Sequence, residues 1–456
     1  MEKERVMKKD KRKFILEEDI YKVILTLALP IMFNSFIQTV YNVTDTYFVS
    51  KLGGTEVAAI TLVWPAIFLL ISLNMGINMA GGAIISQYFG RGKYRKSRKL
   101  GGQLIWFSLV FSFVIGVLGF LLSEKLVYTM GARGKLFEEA VIYFKIISLG
   151  TPLTSFNLAF ASIKQGEGDT TTPMILSVIS VAINIVLDPI FIFVLGLGVK
   201  GAAIATIISR GILCLIAVYQ LHIKKDTMRI GLMDIYPRIE MVREIVRKGI
   251  PLSIGSSTTA FGFIVLNSFV VRYGDGAMAA FGIGNRITSI IFMPAMGIGG
   301  AVSTIVAQNL GGGHIHRIHE TFKKSINIVM GISVFGTTFM WINAKKFVSV
   351  FAEDPGILSM GEYYLKLISL TIICMGTFQI VVGIFQGISA SKKAMTLNMV
   401  RLWGLRIPLI ILFTTISVWG EKSIWYAMLL SNILGTLIAL WMYKKTDLDT
   451  LDLVKV

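Results

Sequence analysis

The sequence is poor in charged residues for its length. Asp, Glu, Lys and Arg make up 16% of the 456 residues, whereas an average soluble domain carries roughly 25%. Hydrophobic residues make up 54%, and the mean hydropathy is +0.69. They occur in blocks of about 20 to 27 residues, the length that crosses a bilayer core of ~30 Å. The shortage of charge therefore excludes a cytosolic enzyme and indicates a membrane protein.

Cysteine and histidine are also scarce. The two cysteines, Cys214 and Cys374, each lie inside an apolar block and form neither a disulfide framework nor a metal-binding spacing. The four histidines lie in loops or at the end of an apolar block. An intramembrane enzyme would need a nucleophile with its base, or a metal-binding set, within the blocks. We predict no enzyme activity, no cofactor and no resident metal.

Acidic residues are outnumbered by basic ones, with a formal net charge of +18. The lysines and arginines lie mainly in short segments between apolar blocks, where they act as topology signals, so we predict no nucleic-acid partner. One set of alternating loops and both termini carry 30 of them, and the opposite loops carry 9. The positive-inside rule places both termini in the cytoplasm, and we predict a multi-pass protein of the cytoplasmic membrane.

Twelve apolar blocks are long enough to be membrane spans. Their approximate positions are 22–48, 57–80, 100–122, 139–163, 172–195, 200–222, 247–271, 277–304, 325–344, 361–388, 395–417 and 423–443.

An internal repeat relates the first six spans to the last six. Residues 30–178 match residues 251–399 at a constant shift of 221, so that Gln165-Gly166 falls on Gln386-Gly387. Because each half has six spans, both halves enter the membrane in the same sense, as parallel repeats. The predicted fold is an all-α integral membrane protein of two six-helix bundles, related by a parallel pseudo-two-fold repeat. The predicted domains are 1–222 with its basic tail, a cytoplasmic linker 223–246, and 247–456.

Two acidic residues, Asp45 and Asp188, lie well inside apolar blocks, and both belong to the first half. An Asp in a membrane span costs roughly 2.5–3.5 kcal/mol, so such residues are functional candidates. Asn184 lies four residues before Asp188 and shares its helix face. Oxygen ligands of this kind suit a hard cation, and the same carboxylates can instead carry a proton. The alternative is a structural pair that holds helices together.

Pro30 interrupts the first span. It removes a backbone hydrogen bond and should kink the helix. We predict a hinge at Pro30 that responds to the state of Asp45; a static kink is the alternative.

The chain resembles the multidrug and toxic compound extrusion (MATE) family of antiporters over about residues 20–445. The resemblance depends on four segments: LPIMFNSFIQTVYNVTDTYFVSKLGG, SQYFGRGKYRKSRK, QGEGDTTTPM and NIVLDPIFIF. It implies a cation-coupled antiporter (H⁺ or Na⁺) that exports organic cations and other amphipathic drugs. It also implies membership of the branch whose acids lie in the N-terminal lobe. By this resemblance Asp45, Asn184, Asp188 and Thr206 form the cation site, whereas Gln38, Tyr41 and Asn157 line the substrate cavity.

Several alternatives remain open at this stage. A flippase for lipid-linked sugars has a related architecture, and a cavity lined by several Arg or Lys would favour it. The sequence does not choose between Na⁺ and H⁺, name the substrate or explain Arg406 in span 11. We expect a monomer surrounded by lipid, since the fold can work without a partner subunit.

Overall fold

A computed structural model describes residues 11–222, 228–416 and 419–448. Within these ranges the regular structure is helical throughout. The first ten residues of the predicted basic tail, residues 223–227 of the predicted linker and the end of the chain from residue 449 lie outside the described residues.

The helices of the first half alternate with short turns. They are α1 (Ile20–Ser50), α2 (Gly54–Gly90), α3 (Tyr94–Thr129), α4 (Gly134–Leu149), α5 (Thr151–Gly166), α6 (Thr171–Pro189), α7 (Gly198–His222) and the short α8 (Leu232–Ile235).

The second half repeats this order. Its helices are α9 (Ile239–Val270), α10 (Asp275–Gly312), α11 (Ile315–Ser349), α12 (Pro355–Ser369), α13 (Ile372–Gly387), α14 (Ser391–Met399), α15 (Ile407–Ile416) and α16 (Lys422–Lys444). Among the described residues ten helical stretches are long and apolar enough to cross a membrane, and two bent pairs raise the number to twelve. The prediction of an all-α, twelve-span membrane protein is confirmed.

The two bent pairs occupy equivalent places in the repeat. Helices α4 and α5 meet at 46°, and α12 and α13 meet at 49°. Helix α5 begins at Thr151 and α13 at Ile372, a separation of 221 residues that equals the shift of the sequence repeat. The first break contains Gly150, and Pro152 follows in the first turn of α5, where a missing N–H costs no intrahelical bond.

The described chain divides into two compact units. Unit 1 contains the described residues up to Glu17 together with Phe33–Ser257, and unit 2 contains Glu18–Met32 and Thr258–Val456 up to the last described residue. The boundaries therefore fall inside α1 and inside α9. The predicted domains 1–222 and 247–456 stay a prediction.

Unit 1 includes the first part of α9, which packs tightly against α2. A side chain at Gly76 would place its Cβ 2.0 Å from the backbone nitrogen of Ser253, so only glycine permits this approach. The Ser253 hydroxyl donates to the Leu73 carbonyl at 2.6 Å, and the hydroxyls of Ser72 and Ser257 are 3.0 Å apart. Small residues and interhelical hydrogen bonds are the usual means by which membrane helices associate, since lipid is as apolar as leucine.

Each unit has its own apolar core. In unit 1 one cluster includes Ile84 and Phe160, and a second includes Val63 and Phe144. In unit 2 a cluster surrounds Trp425, whose ring stacks on Phe281 with centroids 5.5 Å apart and meets Tyr364 edge-on at 4.8 Å.

Candidate cation and substrate site

Asn184 and Asp188 lie one helical turn apart on α6, as their spacing predicts. The Asn184 side-chain Nδ2 donates to Asp188 Oδ1 at 3.0 Å. Both side chains are buried, Asp188 completely. A buried carboxylate is costly unless donors or a cation compensate it, and this single amide donor serves only one of its two oxygens.

Pro189 ends the regular α-helix directly after Asp188. The chain continues as a π-helical turn over Ile190–Val194, as expected where proline interrupts the backbone hydrogen bonds. The start of α7 then packs against this turn. At Gly201 a Cβ would lie 2.5 Å from the Phe191 carbonyl oxygen, so the glycine permits the close approach of α7.

The QGEGDTTTPM segment fixes the other end of α6. Asp169 Oδ1 accepts the backbone N–H of Thr172 at 3.0 Å, and Asp169 Oδ2 lies 3.1 Å from Lys11 Nζ. Partial burial raises the pKa of Asp169, but the Lys11 ammonium and the bonds from Thr172 outweigh it and hold the pKa below its usual value. This acid is thus paired and structural, in contrast to Asp188.

Asp45 on α1 lies close enough to Asp188 for direct electrostatic interaction. Asp45 is 9% exposed. Three buried oxygens have no hydrogen-bond partner among the described residues: Asp45 Oδ1, Asp188 Oδ2 and Asn184 Oδ1. Buried polar atoms are normally paired, and each exception calls for an explanation such as an ion or a proton.

Thr206 on α7 joins the site through Tyr41 on α1. Their hydroxyl oxygens are 2.9 Å apart, and Thr206 is buried. Tyr41 also interacts electrostatically with Asp45 and Asp188. The structure therefore places all four predicted cation-site residues in one region of unit 1, together with a tyrosine predicted for the cavity. Their roles in binding an ion stay predictions.

A cavity of about 300 Å³ lies in unit 1. Its lining includes all three residues that the sequence predicts for the substrate cavity, Gln38, Tyr41 and Asn157. The volume lies at the small end of the usual range for small-molecule sites, roughly 300–1,000 Å³. Tyr41 lines the cavity and also interacts with Asp45 and Asp188, so the predicted substrate cavity and the predicted cation site are adjacent.

Two further residues of this region were not predicted from the sequence. Arg210 lines the cavity, and Tyr143 is buried within electrostatic range of Asp45 and Asp188. Arg210 was detectable, because it lies four residues after Thr206 and so shares its face of α7. Tyr143 had no such signal, since its spacing along α4 is that of an ordinary core residue.

Pro30 lies inside the continuous helix α1. It belongs to the segment of α1 assigned to unit 2, whereas Gln38, Tyr41 and Asp45 belong to unit 1, which resumes at Phe33. The proline is therefore next to the position where α1 passes from one unit to the other.

Arg406 belongs to a π-helical turn, Val400–Arg406, in unit 2. It is buried, and its guanidinium donates to Ser431 Oγ at 3.1 Å and to Asn432 Oδ1 at 2.5 Å. Asn432 donates in turn to Thr371 Oγ1 at 3.0 Å. Arg406 thus has a structural explanation that the sequence did not supply: it links α15, α16 and the break between α12 and α13.

Within the part of the chain that the structure describes, no group of three or more His, Cys, Asp and Glu residues could hold a metal ion. The four predicted cation-site residues offer two carboxylates, one amide and a hydroxyl. Such a set suits a hard cation better than a transition metal.

Comparison with protein families identifies this arrangement. The family model MatE matches residues 30–190 and matches the chain again over residues 251–412, so together the two matches cover well over half of it. The chain belongs to the MATE family. The two matches begin 221 residues apart, the shift of the sequence repeat. MATE proteins are membrane transporters and not enzymes, which confirms the prediction of a transporter.

Curated relatives resemble the chain over nearly its whole length. The multidrug export protein MepA of Staphylococcus haemolyticus is 27% identical over 435 residues, which covers 95% of each chain. The probable multidrug resistance protein YpnP of Bacillus subtilis is 28% identical, covering 93% of this chain and 95% of YpnP.

A solved MATE structure shares the fold. It is described as the outward-facing conformation of a multidrug resistance MATE family transporter of the MOP superfamily. The similarity has a TM-score of 0.90 and 26% sequence identity, and it covers 96% of this chain and 98% of the other.

Proposed function

We propose that the protein is a cation-coupled antiporter that exports amphipathic organic cations, and that it belongs to the branch with acids in its N-terminal lobe. The observation that carries the proposal is a set of three buried oxygens, one each on Asp45, Asp188 and Asn184, that have no hydrogen-bond partner within the described ranges and lie near a cavity of about 300 Å³. The names of MepA and YpnP, which refer to multidrug export and multidrug resistance, support the substrate class.

The coupling follows from charge. Two buried carboxylates close to each other repel when both are ionised, so a bound Na⁺ or proton stabilises the pair. A cationic substrate in the adjacent cavity gains from the same negative charge. Ion and substrate therefore compete electrostatically: the substrate binds better to the protein without the ion, and the ion binds better to the protein without the substrate. A ligand shifts a conformational equilibrium only through such differential affinity.

The position of Pro30 suggests how ion binding could change the conformation of the protein. A proline weakens the helix at one point, and here that point lies in the unit 2 segment of α1, shortly before Phe33, where the acid-bearing segment of unit 1 begins. We propose that ion binding at Asp45 alters the bend at Pro30. We also propose the cytoplasmic membrane as the location, cytoplasmic termini, and a monomer as the working unit.

The test is dye efflux from proteoliposomes under separately imposed Na⁺ and pH gradients. Wild-type protein should export a cationic dye under one of the two gradients, which names the coupling ion. In Asp45→Asn, Asp188→Asn double-mutant protein we expect gradient-driven export to fall at least about 100-fold, because both charges are lost.

Glu362→Gln is the matched control. This acid lies in α12 of unit 2, partly exposed and paired with Lys366 at 2.6 Å, so its loss should leave export unchanged. Undiminished gradient-driven export by the double mutant would refute the proposal.

A flippase for lipid-linked sugars is the alternative, and it would require several cationic side chains for the phosphates. Among the lining residues of the unit 1 cavity, Arg210 is the single Arg or Lys. Arg406 is already bound to Ser431 and Asn432. These observations favour the exporter.

A further inference from the structure

Arg210 is an unexpected residue for a cavity that attracts cations. It lies on α7, is half-buried and lines the unit 1 cavity. One of its side-chain nitrogens, Nη1, donates to Thr154 Oγ1 at 2.7 Å. Within the described residues it forms no ion pair with a carboxylate, although it lies in electrostatic range of Asp45. Arg210 thus contributes a positively charged residue to the cavity lining, and its charge has no carboxylate ion-pair partner in the described part of the chain.

The guanidinium keeps unused binding capacity. Arginine carries five N–H donors in a planar fork, and among the described residues the hydrogen-bond partner of this guanidinium is Thr154. The remaining donors match a carboxylate, which arginine binds through two parallel hydrogen bonds. A cavity excludes bulk water, so a charge-assisted bond formed there is stronger than at an exposed surface.

The same cavity also offers acceptors. Asn34 Oδ1 and Asn157 Oδ1 are buried and have no hydrogen-bond partner in the described part of the chain, and both residues line the cavity. The acids Asp45 and Asp188 interact electrostatically with Tyr41, which lines the cavity. The cavity lining therefore contains one positive residue, Arg210, and a tyrosine that interacts with the two acids.

We propose that Arg210 anchors a substrate carboxylate, so that the preferred substrates are zwitterions: amphipathic molecules with an ammonium group near the acids and a carboxylate on Arg210. The inference rests on the proposed function and narrows its substrate class. The coupling ion competes with the ammonium end, whereas Arg210 selects the other end.

A purely structural role is the competing explanation, since Arg210 connects α7 to α5 through Thr154 and through its carbonyl, which accepts Asn157 Nδ2 at 3.2 Å. Arg210→Gln separates the two roles. Glutamine retains a donor for Thr154 and the same backbone carbonyl but lacks the positive charge. Arg210→Lys keeps the charge and loses the fork.

The experiment measures binding of two dyes to the full-length detergent-solubilised protein by fluorescence anisotropy. Tetramethylrhodamine carries a free carboxylate and is a zwitterion, and its methyl ester is a cation of nearly equal shape. We expect Arg210→Gln to weaken binding of the zwitterion about tenfold or more, since a charge-assisted bond is lost. The cationic ester should bind Arg210→Gln protein more tightly than wild-type protein, because a like charge is removed. Arg210→Lys should restore part of the zwitterion affinity.

Arg243→Gln, an exposed arginine of α9 in unit 1, is the matched control and should alter neither affinity. Equal weakening of both dyes in Arg210→Gln would overturn the proposal in favour of a structural role. Unchanged zwitterion binding would overturn it directly, as would wild-type protein that binds neither dye. Failure of the antiport proposal is distinguishable, because then neither dye is exported from proteoliposomes although the binding ratio still responds to Arg210.

Discussion

The two units contain the same repeat but differ at the positions of the cation site. Shifting Asp45 by 221 residues gives Leu266, and shifting Thr206 gives Ala427. Asp188 falls on Leu409, or on Ile410 if the one-residue difference between the ends of the two family matches is counted. All of these apolar residues belong to the Trp425 cluster of unit 2 or pack against it.

The difference shows what the fold requires and what function adds. In unit 2 these positions are filled by apolar side chains of one core cluster, so the repeat needs no charge there for its packing. In unit 1 two of the three places, Asp45 and Asp188, hold carboxylates whose burial costs free energy. Polar residues that weaken a fold are retained when they perform a task, which supports a functional reading of Asp45 and Asp188. Unit 2 instead contains a buried arginine, Arg406, at a different position of its α14–α15 span.

The largest effect should come from giving unit 2 the missing charge. Leu266 is fully buried in the apolar cluster, so Leu266→Asp places a carboxylate among apolar side chains. We expect a loss of about 3–5 kcal/mol of folding free energy. Thermal unfolding followed by fluorescence-detected size exclusion measures it, with Leu266→Ile as the volume-matched control. A normally stable Leu266→Asp protein would mean that unit 2 retains a concealed ion site.

A smaller effect concerns the buried arginine of unit 2. Asn432→Leu removes one hydrogen-bond acceptor of the Arg406 guanidinium but leaves Ser431, so it should cost about 2–3 kcal/mol of folding free energy. Arg406→Met removes the charge itself and leaves only the Asn432 oxygen unpaired, at a cost of about 1–2 kcal/mol. The midpoints of thermal unfolding of the Asn432→Leu and Arg406→Met proteins compare the two costs. If Arg406→Met proves the more damaging, Arg406 has a role beyond its hydrogen bonds. Neither change should alter which ion drives export.

The smallest effect is expected at the edge of the cation site. Thr206→Val keeps the shape of the side chain but removes the hydroxyl that meets Tyr41. One neutral hydrogen bond contributes about 1 kcal/mol, so the concentration of coupling ion for half-maximal export should rise about fivefold. Tyr41→Phe removes the same bond from the other side. If the two hydroxyls act through their mutual hydrogen bond, the double mutant should need little more coupling ion for half-maximal export than either single mutant. Additive increases in that concentration would show that the two hydroxyls act separately.

Much of this protein is determined by local sequence properties. Apolar length, loop charge and the 221-residue shift suffice for the twelve spans and the repeat, because a bilayer forces every backbone polar group into helices. The Asn184–Asp188 contact also follows from sequence, since helical geometry fixes neighbours four residues apart. Thr206 and the cavity residues came from family resemblance, as nothing in their local patterns distinguishes them from packing residues.

Only the tertiary structure decided which helices meet and which polar atoms stay unpaired. The bends at Gly150 and near Thr371, the contact of Tyr41 with Thr206, and the open guanidinium of Arg210 depend on residues far apart in the chain. Composition and periodicity report whether a side chain prefers lipid or water, but not the partner it meets. Partner choice is set by close packing between helices. That packing gives Asp169 and Arg406 partners, whereas Asp45 Oδ1 and Asp188 Oδ2 have none among the described residues.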